Sequence, residues 1–235
     1  MNGLVSVVIP TYQHAGTIGA CLDSVFAQTY SPIEVIVVND GSTDATQEVL
    51  APYRDRATVI TQENRGGNPA RNRGLAAANG EFVIFCDADV IMRPDMIERM
   101  VAALAAHPDA SIAYSGFRFG WKRFRGVPWN PARLRKVNYI HTTSLVRRDA
   151  FPGFDEAIKR FQDWDVWLTM LAQGKSGVLV PGTLFRCLID GESRTGSRWL
   201  PSFMYRIPWE WLPWRPHQVA KYEAARAVMV AKHKL

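Results

Sequence analysis

The chain has 235 residues, 47% of them hydrophobic and 21% charged, with 17 Gly and 14 Pro, a balance that excludes collagen-like, disordered and low-complexity proteins. No apolar run approaches the about 20 residues that a membrane-spanning helix needs. The net charge of +6 is unevenly spread: residues 1–110 carry 7 Lys/Arg against 13 Asp/Glu, a net of −6, and residues 111–235 carry 21 against 9, a net of +12.

Met1-Asn2-Gly3-Leu4 lacks the basic start and long apolar stretch of a signal peptide. Cys21, Cys86 and Cys187 form no spaced cluster, so neither a disulfide framework nor a zinc site is expected. A reducing, cytoplasmic setting follows as the expectation.

Along the chain, Leu4 to Ile9 is a continuous apolar run ending at Pro10, as in a strand buried on both faces. Ala15 to Gln28 puts Ile18, Leu22, Val25 and Phe26 on one helical face. Ile33 to Val38 predicts a second strand, halted by Asn39-Asp40-Gly41, after which Ser42 or Thr43 caps a helix to about Leu50, with Asp44 in its opening turn. Thr58 to Thr61 is a third strand, Ala70 to Ala78 a helix of small residues, and Glu81 to Cys86 a fourth strand. Pro94 opens another helix, with Met96, Ile97, Met100, Val101 and Leu104 as its apolar stripe.

Continuous apolar strands alternating with helices predict an α/β fold with a mostly parallel sheet covered on both faces. Such sheets bind ligands beyond the carboxyl ends of their strands. Three polar groups stand there: Pro10-Thr11-Tyr12, Asn39-Asp40-Gly41 and Asp87-Ala88-Asp89. Two carboxylates directly after an apolar strand serve a divalent cation, a helix cap or an exposed turn. Mg²⁺ and Mn²⁺ take hard oxygen ligands, commonly one or two carboxylates plus substrate phosphates. Neither a Gly-x-Gly-x-x-Gly after the first strand nor a P-loop is present, so phosphate must be neutralised otherwise. A cation at Asp87 and Asp89, helped by Arg71 or Arg73, would do that.

Val5 to Tyr12, Ser24 to Tyr30, Glu34 to Asp44, Asn64 to Gly74 and Asp87-Ala88-Asp89 together closely resemble the start of family 2 glycosyltransferases. Gly153-Phe154-Asp155-Glu156 and Gln162 to Leu168 are similar to that family's acceptor-side block, so ordered matches cover roughly residues 4–187. The resemblance implies a GT-A fold, a nucleotide-sugar donor, Mn²⁺ or Mg²⁺, and inversion at the anomeric carbon. It places Pro10, Thr11 and Tyr12 against the donor base, Asp40 as an acceptor for that base, and Arg71 near base or phosphate. Asp87 and Asp89, flanking Ala88, would contact ribose and metal, with Asp89 the ligand to the ion bridging the diphosphate. Asp163 would be the catalytic base. A UDP-sugar is the favoured donor, and a glycan or lipid-linked molecule the acceptor.

Three departures stand out. Phe185 to Asp190 lacks the histidine that completes the metal shell in many relatives, leaving Asp190 or water for that place. Gln162-Asp163 replaces the usual Glu-Asp, and Ser197-Arg198-Trp199 keeps only the end of the processive signature.

Residues 1–198 are thus expected to form the catalytic domain, with a nucleotide-sugar half (1–110) and an acceptor-side half (111–198). Residues 199–235 form a Trp-rich and basic extension. Its interleaved Trp, Tyr and Arg suit an acidic membrane interface, and Gln218 to Lys234 is helix-compatible. Packing against the catalytic domain, or a homodimer contact, is the alternative. The basic, Trp-rich second part also raises nucleic acid as a partner, but no reader motif appears and the aspartate-lined strand ends repel phosphate, so none is expected. The other competing class is a catalytically silent nucleotide-sugar-binding module or partner subunit.

Overall fold

The computed structural model describes residues 3–188, 207 and 216–235. The chain divides into two compact units, Met1–Ile189 and Asp190–Leu235. Residues 198 and 199, the boundary expected from sequence, lie outside the described residues. So do Asp190, Ser197-Arg198-Trp199 and nearly all of the Trp-rich stretch before Pro216. The second unit contributes α7 (His217–His233), close to the helix expected at 218–234. Among the described residues no helix is long and apolar enough to cross a membrane.

The first unit opens as β1 (Val5–Thr11), α1 (Ile18–Phe26), β2 (Ile33–Asn39), α2 (Thr46–Leu50), β3 (Thr58–Thr61), α3 (Gly67–Ala77) and β4 (Phe82–Phe85). It continues through β5 (Val90–Met92), α4 (Met96–Ala106), β6 (Ala110–Phe119), β7 (Lys122–Phe124), α5 (Pro131–Leu134), β8 (Leu145–Arg147), α6 (Gln162–Ala172) and β9 (Ser176–Cys187). The strands form one nine-stranded sheet in the order β3-β2-β1-β4-β8-β6-β9-β5, with β7 added to β6. Pairings from β3 to β4 are all parallel, as is β6 with β9. Only β5, β7 and β8 run the other way, through antiparallel pairs. The architecture is the α/β, mainly parallel sheet flanked by helices that the sequence predicts.

Strand β1 runs past its expected end, through Pro10 to Thr11. Proline lacks a donor, so an interior strand normally excludes it. Here Val8 accepts from Cys86 N on the β4 side, whereas Thr11 accepts from Asp40 N on the β2 side. Pro10 therefore faces the β4 side, two residues beyond the last β1–β4 pair, Val8 with Phe85. No ladder bond is lost there.

The helix expected after Ser42 is shorter, because Asp44 first ties the preceding turn down. Its carboxylate accepts from Thr46 N and Thr46 Oγ1 through one oxygen and from Ala15 N through the other. Alternation along β1 then builds both cores. Val5, Val7 and Ile9 join Ile18, Leu22, Met96, Ile97 and Met100 on the α1/α4 face. On the other face Gly74 of α3 lies so close to β1 that a β-carbon there would sit 2.3 Å from Val8 Cγ1. This close approach seats α3 directly over the strand ends.

Candidate active site

The site is built at the carboxyl ends of β1, β2 and β4, facing the start of α6. Past β1, Gln13 has φ 61°, a strained value for a side chain other than glycine. The turn is over-determined: Gln13 Oε1 accepts from Thr43 N and Asp44 N, and its own N–H donates to Ser42 Oγ. This clamp orders the segment carrying Thr11, which is 2% exposed, and Tyr12, which is 40% exposed. Thr11 Oγ1 is buried with no hydrogen-bond partner. A flat, exposed aromatic beside an unanswered hydroxyl suits contact with a planar polar ring.

Asp40 is 3% exposed and holds the loop ahead of α3. Its Oδ1 accepts from Gln62 Nε2 at 2.7 Å and Arg65 N at 3.0 Å, and Oδ2 accepts from Gly66 N at 2.8 Å. Gly66 stands at φ 98°, where glycine is favoured, and leads directly into α3. The carboxylate that the resemblance assigns to the donor base is thus also a loop anchor.

Helix α3 presents Asn68, Arg71 and Asn72 on one face, the i, i+3, i+4 pattern. Asn68 Nδ2 donates to the carbonyls of Asp155 and Ile158, and Asn72 exchanges hydrogen bonds with the Phe154 backbone. The Gly153-Phe154-Asp155-Glu156 segment is thereby fixed to the nucleotide-sugar half. Between the two asparagines, Arg71 pairs with Asp87 (Nη2 to Oδ1, 2.7 Å) and lies over the Phe154 ring at 5.4 Å. Arg73 is exposed on the same helix and takes no part.

Asp87 and Asp89 follow β4 in a tight turn closed by Val90 N donating to the Asp87 carbonyl. Ala88 between them is 1% exposed, so the flanking carboxylates share the open side. Their environments push them apart. Burial alone would raise Asp87, but Arg71, with His141 and His14, overrides it and holds the carboxyl below its usual range. Asp89 has no such partner among the described residues, and burial, then the Asp87 charge, pushes it up to about 7.

Asp163 is the second residue of α6, whose position depends on two buried tryptophans. Trp164 Nε1 donates to the Leu134 carbonyl at 2.7 Å, and Trp167 Nε1 to the Ile140 carbonyl at 3.0 Å. Both indoles lock the helix to the 134–140 loop. Phe161, just before α6, has φ 63°, local strain held by the packing of its ring edge-on to Trp164. Asp163 accepts from Trp164 N and from Asn138; burial raises its carboxyl, and His141, Asn138 and Arg71 offset that only in part. Asp165 is 3% exposed, a buried residue of the helix rather than a solvated one.

His141 links these groups. The sequence leaves it a choice between ligand contact and packing, and the structure shows packing, against Phe117 and Phe185 with ring centroids at 4.8 and 5.0 Å. Its Nδ1 accepts from Thr143 N, which assigns the neutral ring's proton to Nε2, 3.9 Å from Cys187 Sγ. Burial lowers its pKa, while the charges of Asp87 and Asp163 act in the opposite sense. One imidazole therefore feels both carboxylates, from the Asn138-Tyr139-Ile140-His141 stretch whose sequence leaves contact with donor or acceptor open. Gln62 and Gln13 were illegible, being ordinary polar residues until the fold aims them.

The donor set fits a hard divalent cation. Among the described residues no three His, Cys, Asp or Glu side chains gather into a metal cage. What exists is a pair of carboxylates, one lacking a cationic partner and holding its proton to about 7. That suits an ion completing its shell with substrate phosphates and water.

The sequence model of glycosyl transferase family 2 matches residues 6–157. Glycosyltransferase GlyA of Streptococcus pneumoniae is 37% identical over 116 residues, covering 48% of this chain and 16% of that protein. The uncharacterized glycosyltransferase YibD of Escherichia coli is 36% identical over 143 residues, covering 58% and 41%. The chain thus spans less than half the length of either relative. Staphylococcus aureus TarS 1–349 in complex with UDP-GlcNAc superposes with a TM-score of 0.69 at 22% identity, over 86% of this chain and 63% of that one. The mannosyltransferase PcManGT from Pyrobaculum calidifontis, in complex with GDP-Man and Mn²⁺, gives 0.65 at 21% identity, over 88% and 61%. With its motifs in order along such a sheet and the family model covering more than half of its length, the chain belongs to glycosyl transferase family 2.

Proposed function

We propose that this chain moves a sugar from a nucleotide-sugar donor, with UDP-sugar the first choice, to a hydroxyl of a glycan or lipid-linked acceptor by a single inverting displacement. The observation that carries this reading is that His141 and Arg71 act electrostatically on both Asp87 and Asp163, in segments that Asn68 and Asn72 help to tie together. The nucleotide-sugars held by the two structural neighbours support the donor class.

In this mechanism Tyr12 and Thr11 lie along the base, and Asp40 keeps the Gln62–Gly66 loop in place beneath it. Asp163 accepts the proton of the attacking hydroxyl. Its raised carboxyl makes it a better base, because a catalytic pKa works best near the operating pH. A divalent cation held by Asp89 and Asp87 would supply Lewis-acid neutralisation of the departing diphosphate. Arg71 orients Asp87 and adds a fixed positive charge. His141, packed on Phe117 and Phe185, lies within the field of both Asp87 and Asp163. One displacement by one base leaves inverted stereochemistry, with no covalent intermediate.

The test is a panel of UDP-, GDP- and dTDP-sugars, scored for Mn²⁺-dependent thermal shift and slow donor hydrolysis, beside Asp89→Ala. The expected result is one donor class that stabilises the protein only with metal, an effect the variant loses, with measurable hydrolysis. Binding without any turnover would support a silent binding module instead. No shift with any donor would overturn the donor assignment.

A further inference from the structure

The carboxyl ends of β6 and β9, with the β7 hairpin beside them, carry a row of side chains to which the proposed transfer assigns no role. Register places Phe124 of β7, Phe117 of β6 and Phe185 of β9 in one cross-strand row. Phe117 stacks on Phe124 at 4.6 Å and on Phe185 at 5.3 Å, and His141 packs on the same side. The neighbouring row is Arg123, Arg118 and Arg186. Successive residues point to opposite faces, so the arginines occupy the face away from the aromatic row and from His141.

All three arginines are exposed. Among the described residues none has a carboxylate within salt-bridge reach; the hydrogen bond recorded for the row runs from Arg123 Nε to Thr183 Oγ1 at 3.1 Å. Like charges directly opposite one another destabilise a sheet. Three in a row, with no carboxylate paired to them among the described residues, favour an anion that meets them. The same hairpin turns at Gly120-Trp121, and Trp121 is 88% exposed, far more than the other large apolar side chains exposed in the structure. Lys122 and Arg125 are also exposed beside it. From Ser111 to Arg148 the sequence has no acidic residue.

We propose that the β6–β7 hairpin docks on an acidic membrane surface. Guanidinium groups of Arg118, Arg123 and Arg186 meet lipid phosphates, which they bind as planar forks. Trp121 enters the headgroup layer, where an indole has both an apolar body and a hydrogen-bonding edge in suitable surroundings. The proposal is separate from the assignment of donor and base. It also assigns membrane contact to the body of the first unit rather than to the aromatic extension.

The experiment is co-sedimentation of the full chain with vesicles of phosphatidylcholine containing 30% phosphatidylglycerol, against pure phosphatidylcholine, in about 0.1 M salt. The expected result is binding to the anionic vesicles only, weakening as salt rises. Each basic side chain at such a surface is worth on the order of fivefold in binding. Arg118→Glu/Arg123→Glu should therefore lose at least about twentyfold, and Trp121→Ala a smaller factor, both with an unchanged melting temperature and unchanged donor hydrolysis. Arg54→Glu, an exposed site in the nucleotide-sugar half, serves as the charge control and should lose little. The proposal is overturned if the double variant binds within twofold of the parent, since the extension would then carry the contact. It is equally overturned if the parent ignores anionic vesicles, or binds soluble polyphosphate and not membrane.

Discussion

The two halves of the first unit solve the same task by different means. In residues 1–110 every strand from β3 to β4 is parallel, its helices follow in sequence, and Thr11, Tyr12, Asp40, Asp87 and Asp89 all stand at a strand's carboxyl end or within four residues of it. In the acceptor-side half, strands reverse, β9 inserts between β6 and the short β5, and Asp163 is placed by a helix pinned through two indoles to a distant loop. Position along the chain locates the first set of residues. Long-range hydrogen bonds and packing locate the second. Asp163 therefore depends on contacts between distant segments, whereas Asp87 and Asp89 depend on the end of one strand.

The sharpest way to break this comparison is Asp163→Asn. The variant should lose about 10²- to 10⁴-fold in kcat while the donor dissociation constant, measured by calorimetry, stays within a few-fold. The parent's acidic limb of kcat against pH should lie above the usual carboxylate range, following the raised Asp163 carboxyl. Near-normal turnover in the variant would remove the base from the acceptor-side half.

Asp89 tests the other half. Its proton, held to about 7, must leave before a cation binds. The Mn²⁺-induced rise in melting temperature should therefore grow from pH 6 to pH 8, with about tenfold weaker metal affinity per unit below 7. Asp89→Asn should abolish the rise at every pH. Without metal the sign reverses: the folded state holds this proton more tightly than the unfolded chain, so stability falls as pH climbs from about 4 through 7. The same variant should flatten that fall.

Trp167→Phe separates position from chemistry. It removes the donor to the Ile140 carbonyl inside a 1%-exposed site, at a cost of about 2 kcal/mol in denaturant unfolding. Since the lost anchor fixes α6, kcat should fall more than donor affinity. Asn72→Ala gives the smallest effect. It breaks the exchange with Phe154 at a half-buried position, for about 1 kcal/mol. Its loss should be seen as a shared weakening of donor binding and turnover, because that bond ties one half to the other.

Much of this was legible beforehand, and the reason is local. Apolar strands such as Val5 to Ile9 and Ile33 to Val38 declare themselves by composition, and a polar residue directly after such a strand has only one end of the sheet to occupy. Thr58–Thr61 is found as expected, and the other early elements shift by a few residues at their ends. Pro10 misled at its strand end because the missing donor matters only on the side where a neighbour continues, and pairing is not written in β1 itself. The β5 strand was missed because three residues carry no periodicity, and it exists only because β9 passes beside it.

The amino-acid sequence by itself determined the alternation of strands and helices, the order of the motifs and the identity of the carboxylates, since these depend on neighbours a few residues apart. Tertiary structure alone decided that Asp40 anchors a loop, that Arg71 pairs with Asp87 rather than Asp89, and that His141 sits where Asp87 and Asp163 both act on it. It alone aligned three arginines from three strands on one face. Charge and burial act through space, and the distances that set them are fixed by pairing and packing between segments far apart along the chain.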